Sequence, residues 1–519
     1  MAITVDDLSV PERRLWEAFP TGEWVDLRTG DEESYDPVEE PPDWGQDRWV
    51  RAEVVAALLA GAVPVEPGSV GVLVLQGARI EGLLDLAGME ACCRLALRGC
   101  WLGAGIQAEE ARLRTVSLQG SLVGEVRLAN AHIDGTFVLQ GARLVNPDAK
   151  VLVGYGLTVK RDVRADGLVA EGEVDLIDAH IGGTLRLHGA RLQNPGGNAL
   201  LADGLTVTSG IYCRDGFSAE GTIRLRGAHI GSNLEMDGAR LVNPGGHALS
   251  ATRLTVAGSV FFRHGFTAEG EVRVLDGRIG GAFDLSGARL VNPGGEALSA
   301  DGLRMDQNMI LTGGFTAEGV VRLVSARIGA IEDDPWQWPD RLELNGLTYQ
   351  ELYPDAPARL RLGWLSRSAG GYRAQPYEQL AAHYRRLGHD EEARRVLLAK
   401  QRARMREQGW WARPWGWLQD VLAGYGYVPG RAALWLAAAF TVGSWYFARH
   451  HPAAAKADHP PFNTLLYTLD LLLPAPNLGQ EDAFSPLHGG LALAAGLRVF
   501  GWVLTIAVLA SITRALSRN

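Results

Sequence analysis

Residues 238–286 read GARLVNPGGHALSATRLTVAGSVFFRHGFTAEGEVRVLDGRIGGAFDLS, and similar stretches lie on both sides of them. The phrase Gly-Ala-Arg-Leu begins at Gly141, Gly189, Gly238 and Gly287. The phrase Ala-Glu-Gly begins at Ala170, Ala219, Ala268 and Ala317. Successive copies are 48 or 49 residues apart. A fixed long period predicts a repeat architecture, in which each unit buries its apolar face against the next unit.

Within one unit, apolar and polar residues alternate over short runs, such as 173–177 and 184–188, before a glycine or an Asn-Pro-Gly-Gly turn interrupts them. This alternation with period two predicts short β-strands, and the frequent glycine and proline argue against helical repeats. A unit of 49 residues is too long for one coil of a β-solenoid, which usually takes roughly 18–25 residues. We therefore predict a mainly β protein with a β-solenoid (β-helix) over residues 65–352 and two coils in each unit.

Stacked coils bring equivalent residues into outward columns, which form the candidate binding face. The arginine column consists of Arg143, Arg191, Arg240 and Arg289. The glutamate column consists of Glu171, Glu220, Glu269 and Glu318. The histidine column consists of His132, His180 and His229, followed by Arg278 and Arg327. Like charges two coils apart would be separated by about 10 Å, near the Debye length. The columns are therefore either solvated outer faces, or an anion-binding stripe and a histidine pH sensor.

The composition argues against several classes of function. A formal net charge of −10 is unlike that of a general nucleic-acid binder, and residues 1–17 lack the apolar run of a signal peptide. The four cysteines form no Cys-x-x-Cys pair, so we expect reduced thiols: Cys92, Cys93, Cys100 and Cys213. The sequence shows no catalytic triad, metal cluster or phosphate loop, so we predict no catalytic residues, no cofactor and no metal, and an enzyme is disfavoured.

Residues 1–64 are predicted to form an acidic lead-in and a helix. The runs 31–37 and 39–42 are acidic and contain proline, whereas residues 48–60 have helical spacing and end before Gly61. A helix over the open end of a solenoid would cover its unpaired strand edges. We therefore expect an N-terminal capping helix.

The period changes after residue 352. Residues 377–389 and 390–401 have helical spacing around Gly388, which predicts a helical hairpin within the segment 353–428. Basic residues at 402–406 precede four tryptophans, Trp410, Trp411, Trp415 and Trp417. Basic residues followed by tryptophans are typical of a chain that approaches a membrane surface, so this part is predicted to be an amphipathic membrane-surface segment.

The segment 429–519 contains two apolar runs, 432–448 and 489–512, which are separated by the connector 449–488. Each run predicts a transmembrane helix. The excess of arginine and lysine before the first run predicts a multi-pass protein of the cell membrane, with both termini and the solenoid in the cytoplasm. Asp470 and Arg498 are candidate intramembrane residues that would pair with each other. Alternatively, Arg498 extends to the outer interface.

Three segments carry a resemblance to known proteins: 377–401, Gly-Tyr-Gly-Tyr-Val-Pro-Gly-Arg-Ala at 424–432, and Tyr-Thr-Leu-Asp-Leu-Leu-Leu-Pro at 467–474. They resemble parts of bacterial, largely actinobacterial, membrane proteins that carry pentapeptide-repeat-like or bactofilin-like β-solenoids on the cytoplasmic side. Proteins of this kind are often labelled membrane-associated oxidoreductases. The resemblance implies that activity, although no residue of this sequence supports it.

The order of helix, short segment and helix also resembles the two-span pore module of potassium channels. Residues 469–479 nevertheless lack the Thr-Val-Gly-Tyr-Gly filter. The function that we favour is a non-enzymatic, membrane-anchored solenoid that acts as a scaffold or interaction protein. The alternatives are a channel-like two-span oligomer and a membrane-associated oxidoreductase. The expected partners are the lipid bilayer and an unknown cytosolic protein or further copies of the chain in a homo-oligomer, but not nucleic acid.

Overall fold

The computed structural model describes residues 5–28, 43–68, 70–407, 421, 429–455, 460–473, 478–486 and 489–516. The acidic runs at 31–37 and 39–42, the four tryptophans between 410 and 417, and most of the element 424–432 lie outside these residues. The chain divides into two compact units. One contains Met1–Ala356 and Gly363–Gly370, and the other contains Pro357–Leu362 and Gly371–Asn519.

The α-helices are α1 (Val10–Ala18), α2 (Ala52–Leu59), α3 (Ala358–Ser366), α4 (Ala374–Arg386), α5 (Asp390–Glu407), α6 (Pro429–Arg449), α7 (Thr464–Leu472) and α8 (Gly489–Leu516). Short 3₁₀ turns span Val5–Asp7, Phe19–Thr21 and Gln46–Arg48.

Two parallel β-sheets form the walls of the first unit. The strands of the first sheet are Val25–Asp26, Val72–Gln76, Arg94–Arg98, Arg112–Leu113, Val116–Ser117, His132–Ile133, Phe137–Val138, Thr158–Val159, Val163–Arg164, His180–Ile181, Leu185–Arg186, Thr206–Val207, Ile211–Tyr212, His229–Ile230, Leu234–Glu235, Thr255–Val256, Val260–Phe261, Arg278–Ile279, Phe283–Asp284, Arg304–Leu311, Arg327–Asp333 and Thr348–Tyr353. The strands of the second sheet are Trp49–Arg51, Arg79–Glu81, Leu84–Asp85, Trp101–Leu102, Ile106–Gln107, Leu122–Val123, Val126–Arg127, Arg143–Val153, Val169–Asp175, Arg191–Leu201, Ser218–Arg224, Arg240–Ser250, Thr267–Arg273, Arg289–Ser299, Thr316–Arg322 and Arg341–Glu343.

The register of these strands defines a β-solenoid of about 12 turns, which confirms the predicted fold. Along the first sheet, Phe137 pairs with Val163, Val163 with Leu185, and Leu185 with Ile211. More residues of sequence separate the partners of the first and third pairs than those of the second pair, so a long coil alternates with a short one. The same alternation continues through the later units. One long and one short coil make up one sequence unit, so the prediction of two coils per unit is confirmed.

The interior of the solenoid is filled by the inward side chains of the alternating pattern. On the second sheet, Leu192, Ala219, Leu241 and Ala268 follow one another on consecutive coils, and each is at most 1% exposed. Large and small side chains thus alternate along one interior column, which lets successive layers interdigitate at the density of a protein core. Buried phenylalanines fill the neighbouring wall, and Phe262 packs on Phe266 with ring centroids 4.7 Å apart.

The Ala-Glu-Gly phrase lies on a short coil, next to the Asn-Pro-Gly-Gly turn that protrudes from the preceding long coil. In the long coil, Asn243 donates to the His247 carbonyl across the Pro-Gly-Gly turn at 3.0 Å, and this turn shifts the strand register. Gly270 of the next coil has φ +118° and faces the Asn243 carbonyl, and a Cβ at Gly270 would lie 2.4 Å from that oxygen. Glycine is therefore required by both the backbone conformation and the close approach.

The N-terminal helix is present as α2, but it does not form a clear cap. Strand Val25–Asp26 pairs with Val72–Gln76, and strand Trp49–Arg51 pairs with Arg79–Glu81. Both sheets thus continue towards the N-terminus through short strands, and α2 follows directly after the second of these strands. This corrects the expectation of a capping helix: among the described residues, the outermost strands of both sheets at this end are short edge strands, which are themselves a protection against edge pairing.

The second unit is helical. Helices α4 and α5 form a hairpin around Gly388, whose φ is +77°. Helices α6, α7 and α8 pack together around Phe447, Tyr467, Leu471 and Leu497, which are at most 6% exposed. A small antiparallel pair, Ala453–Ala454 with Phe484–Ser485, joins the two ends of the connector.

Within the described residues, one helix is long and apolar enough to cross a membrane, in the window Gly489–Ile506 of α8. Only 28% of this window is buried inside the structure. Helix α6 does not meet the same requirement, because its uncharged run 432–448 is short and includes the polar residues Thr441 and Ser444. The expectation of two transmembrane helices is thus corrected to one candidate.

Candidate functional site

The arginine column lies on the outer face of the second sheet, and its spacing is the one expected. Arg191 pairs in register with Ser218, and Ser218 pairs with Arg240, so a neutral residue separates successive arginines. The glutamate column has the same arrangement, because Val242 lies between Glu220 and Glu269. Like charges are therefore two coils apart on this face.

These two columns pair with each other. Arg143 contacts Glu171 at 2.6 Å, and the equivalent pairs Arg240 with Glu269 and Arg289 with Glu318 are at 2.9 Å. The pairs form because each arginine is in register with the residue two positions before the glutamate of the next coil. In the second unit of the described chain, Arg191 and Glu220 form no such pair. Most of this predicted binding face is thus neutralised by its own charges.

The histidine column lies on the outer face of the first sheet and stays exposed. His132, His180 and His229 alternate with threonines, because Thr158 and Thr206 occupy the coils between them. The column then changes character. Its next members are Arg278, Arg304 and Arg327 on three consecutive coils, with no neutral residue between them.

Arg304 is the member of this column that the repeat pattern does not reveal. It occupies the position of Thr158, Thr206 and Thr255 in the other units, within Gly-Leu-Arg-Met where two of them read Gly-Leu-Thr-Val. The repeated phrases that define the unit do not include this position. A comparison of the units position by position would have found it.

A second polar cluster, which sequence reasoning missed, follows the neighbouring column of the first sheet. Arg186 contacts Asp166 at 2.9 Å, and Arg214 contacts Glu235 at 3.2 Å. His188 lies between them, with its Nδ1 3.5 Å from the carboxylate of Asp215. Burial lowers the pKa of His188 despite the nearby carboxylates. Its imidazole is therefore neutral at pH 7. The cluster then consists of two ion pairs with an uncharged ring between them.

In the helical unit, Asp470 is 5% exposed and lies on α7. Its two carboxylate oxygens accept the backbone N–H groups of Leu478, Gln480 and Glu481 at 2.9–3.0 Å. A buried carboxylate needs such donors to offset its desolvation. Asp470 therefore fixes the fold of the connector that returns towards α8.

Arg498 has a different partner from the one predicted. Its guanidinium forms an ion pair with the carboxylate of Glu481, not with Asp470. Glu481 lies outside any apolar run, so its role could not be read from the hydropathy pattern. The structure thus brings Asp470 and Arg498 to the same part of the unit but joins each of them to residues of the connector.

Two glycines set the close packing of α6, α7 and α8. A Cβ at Gly501 would lie 2.1 Å from the Leu472 carbonyl, and one at Gly443 would lie 2.6 Å from the side chain of Thr468. Small residues at such crossings let helix backbones approach closely, as is common between helices in membranes.

The cysteines are single thiols. All four are free, and Cys92 is exposed while the other three are buried. Burial raises the pKa of Cys100 to about 12. Among the described residues, no group of three or more His, Cys, Asp and Glu side chains could hold a metal ion. Comparison with known proteins found no family model, no curated protein and no solved structure that matches this chain.

Proposed function

We propose that the protein is a non-enzymatic, membrane-anchored β-solenoid, which presents the outer faces of its coils to a cytosolic partner protein or to further copies of itself. The observation that carries the anchor is the surface of the helical unit. Large apolar side chains are exposed along α6 and α8, namely Leu434, Trp435, Val442, Trp445, Leu491, Val499, Trp502, Val503 and Ile506.

Single exposed apolar side chains are ordinary, but a large exposed apolar surface marks contact with a membrane or a partner. Leu434 is 72% exposed, Val499 65% and Ile506 60%. The apolar window Gly489–Ile506 is 18 residues long, close to the length needed to cross the hydrocarbon core. A bilayer is the environment that covers such a surface without any matched partner, which supports anchoring through α8 with α6 packed against it.

The geometry of the connector favours an anchor over a channel-like oligomer. A pore would need a polar group that faces a water-filled path. Asp470 is the candidate acidic residue of the apolar segments, but both of its oxygens accept backbone N–H groups of its own connector. Its carboxylate is thus used to hold the fold of the helical unit, as an anchor allows.

The interaction role is supported by the regularity of the solenoid. Repeated coils present long, parallel rows of side chains, and solenoids commonly use such extended faces for binding. The pairing of Arg240 with Glu269 and of Arg289 with Glu318 leaves the second sheet with a nearly neutral, patterned surface. Such a surface suits a protein partner more than a highly charged ligand.

Flotation with vesicles tests the anchor. The full chain, purified in detergent and reconstituted with phosphatidylcholine, should float with the lipid in a density gradient. A fragment of residues 1–370 should stay at the bottom. The fragment ends at residue 370 because Trp364 packs on Trp338, with ring centroids 4.3 Å apart, within the solenoid unit. A full chain that stays with the fragment would contradict the proposal.

A further inference from the structure

We infer that Arg278, Arg304 and Arg327 form a binding site for phosphate oxyanions on the outer face of the first sheet. This ligand is additional to the partner protein proposed above for the outer faces. Three observations support the site: the register of three consecutive coils, the absence of ion-pair partners among the described residues, and the residues that occupy these positions in the other units.

The three arginines form one straight row. Arg278 is in register with Arg304, and Arg304 is in register with Arg327. The residues that follow them, Ile279, Met305 and Ile328, point inward and are at most 5% exposed. Because side chains alternate along a strand, the arginines point outward. Neighbouring members are separated by about 4.8 Å, the spacing of adjacent strands.

Like charges directly opposite each other on neighbouring strands destabilise a sheet. Elsewhere on the solenoid such charges are kept apart or paired, as with Arg240 and Glu269. Within the described part of the chain, none of Arg278, Arg304 and Arg327 forms an ion pair, although all three are exposed. The row therefore concentrates three unneutralised charges in a chain whose net charge is −10.

The other units show that the fold does not require this concentration. Thr158, Thr206 and Thr255 occupy the position of Arg304, and histidines occupy that of Arg278 and Arg327. Arg304 begins the longer strand Arg304–Leu311 and Thr255 lies in the short strand Thr255–Val256, but each is followed by a buried apolar residue and faces outward at the same register position. The arginines are thus not needed to fold this face.

Two carboxylates are near the row. Asp276 precedes Arg278 by two residues, and Asp306 follows Arg304 by two residues on the outward side. Neither lies within ion-pair distance of the three arginines in the described structure. The two carboxylates lie on opposite sides of the row, where their negative charge should weaken anion binding. Removal of the Asp306 charge should therefore strengthen the binding of an anion.

The chemistry of the row selects the ligand. A guanidinium presents a planar fork that binds phosphate or carboxylate oxygens through two parallel hydrogen bonds. Three forks at regular spacing on a rigid sheet can contact successive groups of a linear oligophosphate, or phosphates that lie side by side. The shared chemistry is the phosphate group, whose source is either a soluble oligophosphate or a lipid headgroup.

Titration calorimetry with sodium tripolyphosphate tests the site, using the full chain in phosphatidylcholine nanodiscs at low salt. Arg304→Thr introduces the residue that other units carry, so the fold is preserved, and the Kd should rise about tenfold through loss of one charge-assisted fork. Arg304→Lys should give an intermediate Kd. Asp306→Asn should lower the Kd by about twofold. Arg161→Ser changes an exposed arginine of an earlier coil to the serine that the next unit carries at residue 209, and it should leave the Kd unchanged.

Nanodiscs that contain phosphatidylglycerol distinguish the two sources. If headgroup phosphates occupy the row, the native chain should bind tripolyphosphate more weakly in these nanodiscs than in phosphatidylcholine, while Arg304→Thr should show no such difference. If the ligand is soluble, the native affinity should be equal in both. Absence of tripolyphosphate binding in both lipids, or equal affinity of the native chain and Arg304→Thr in phosphatidylcholine, would overturn the inference.

Discussion

The guanidinium of Arg498 forms an ion pair with the carboxylate of Glu481, and the backbone N–H of Glu481 donates to Asp470 at 2.9 Å. One connector residue thus contacts both of the charged residues that the sequence places in apolar surroundings. The connection is indirect, because Asp470 receives its hydrogen bonds from the backbone. The side chain of Glu481 can therefore be changed without removing a donor from Asp470.

Double-mutant cycles should separate these contacts. We expect Arg498→Gln and Glu481→Gln to couple by about 1 kcal/mol, because each removes the partner of the other. Arg498→Gln and Asp470→Asn should be additive within about 0.5 kcal/mol. The change in unfolding free energy of each single and double variant is measured by thermal unfolding of the full chain in the same detergent. Strong coupling of Arg498 with Asp470, and none with Glu481, would mean that Asp470 and Arg498 form the direct ion pair predicted from the sequence.

The protrusion of the long coils makes a prediction for glycine. Gly270→Ala should destabilise the solenoid by about 3 kcal/mol or more, since it combines a positive φ with a collision against the Asn243 carbonyl. Gly265 has φ +85° and open space around it. Gly265→Ala should therefore cost only about 1 kcal/mol. Urea unfolding of residues 1–370 measures both variants, and equal costs would show that the close approach is unimportant.

Glu12 links α1 to Arg51 and should make the N-terminal region sensitive to acid. Burial opposes ionisation, but hydrogen bonds from Arg51 and from the Ser9 amide lower the pKa of Glu12 to about 2. A lowered pKa gives stability that is complete above the unfolded value of about 4.3 and is lost as the pH falls through about 2.

We therefore expect Glu12→Gln to reduce the local stability of α1 by about 2–3 kcal/mol at pH 7. The difference from the native chain should disappear near pH 2. Hydrogen exchange of the amides in α1, measured at several pH values, reports this stability. A difference that stays constant with pH would mean that the ion pair with Arg51 contributes nothing.

Thiol labelling tests the proposed orientation. Cys92 is the exposed native cysteine of the solenoid, so an impermeant reagent should label it only after the cells are permeabilised. With α8 as the one candidate span, Ala455→Cys lies before the span and should likewise be labelled only after permeabilisation. Labelling of Ala455→Cys in intact cells would mean that α6 crosses the membrane as well. Labelling of Cys92 from outside would reverse the orientation.

The sequence predicts the solenoid well because its physical signal is repeated. Each unit contains the same alternation of inward and outward residues, so two coils per unit and the spacing of Arg191 from Arg240 follow from the period and the usual length of a coil. The pairing of Arg240 with Glu269 does not follow from it. That contact depends on which residues of adjacent coils are in register, and the Asn-Pro-Gly-Gly protrusion shifts this register within one strand.

The candidate sites were harder to predict for related reasons. Arg304 differs from the residues at its position in other units, so a search for what the repeats share passes over it. Glu481 acts through a turn of the connector, where no periodic pattern indicates which residues meet. Helix α2 could be predicted from its apolar spacing. Its position beside the short edge strands could not, because it depends on contacts with Val72–Gln76 and with the strands next to Val72–Gln76.

If the exposed apolar surface of α8 lies in a membrane, as proposed, charges placed on that surface should remove the protein from the membrane. Val499→Asp combined with Ile506→Asp adds two carboxylates at residues that are 65% and 60% exposed. In water this change would be harmless or would improve solubility, whereas in hydrocarbon each carboxylate costs about 2.5–3.5 kcal/mol or more. Val70→Asp is the matched control, at a solenoid residue that is 77% exposed.

The measurement is the fraction of protein that remains in the membrane pellet after a wash with alkaline carbonate. We predict that the native chain and Val70→Asp stay in the pellet, while the double variant is released or fails to insert. Release of the native chain by carbonate, or retention of the double variant at the native level, would contradict the membrane-anchored solenoid.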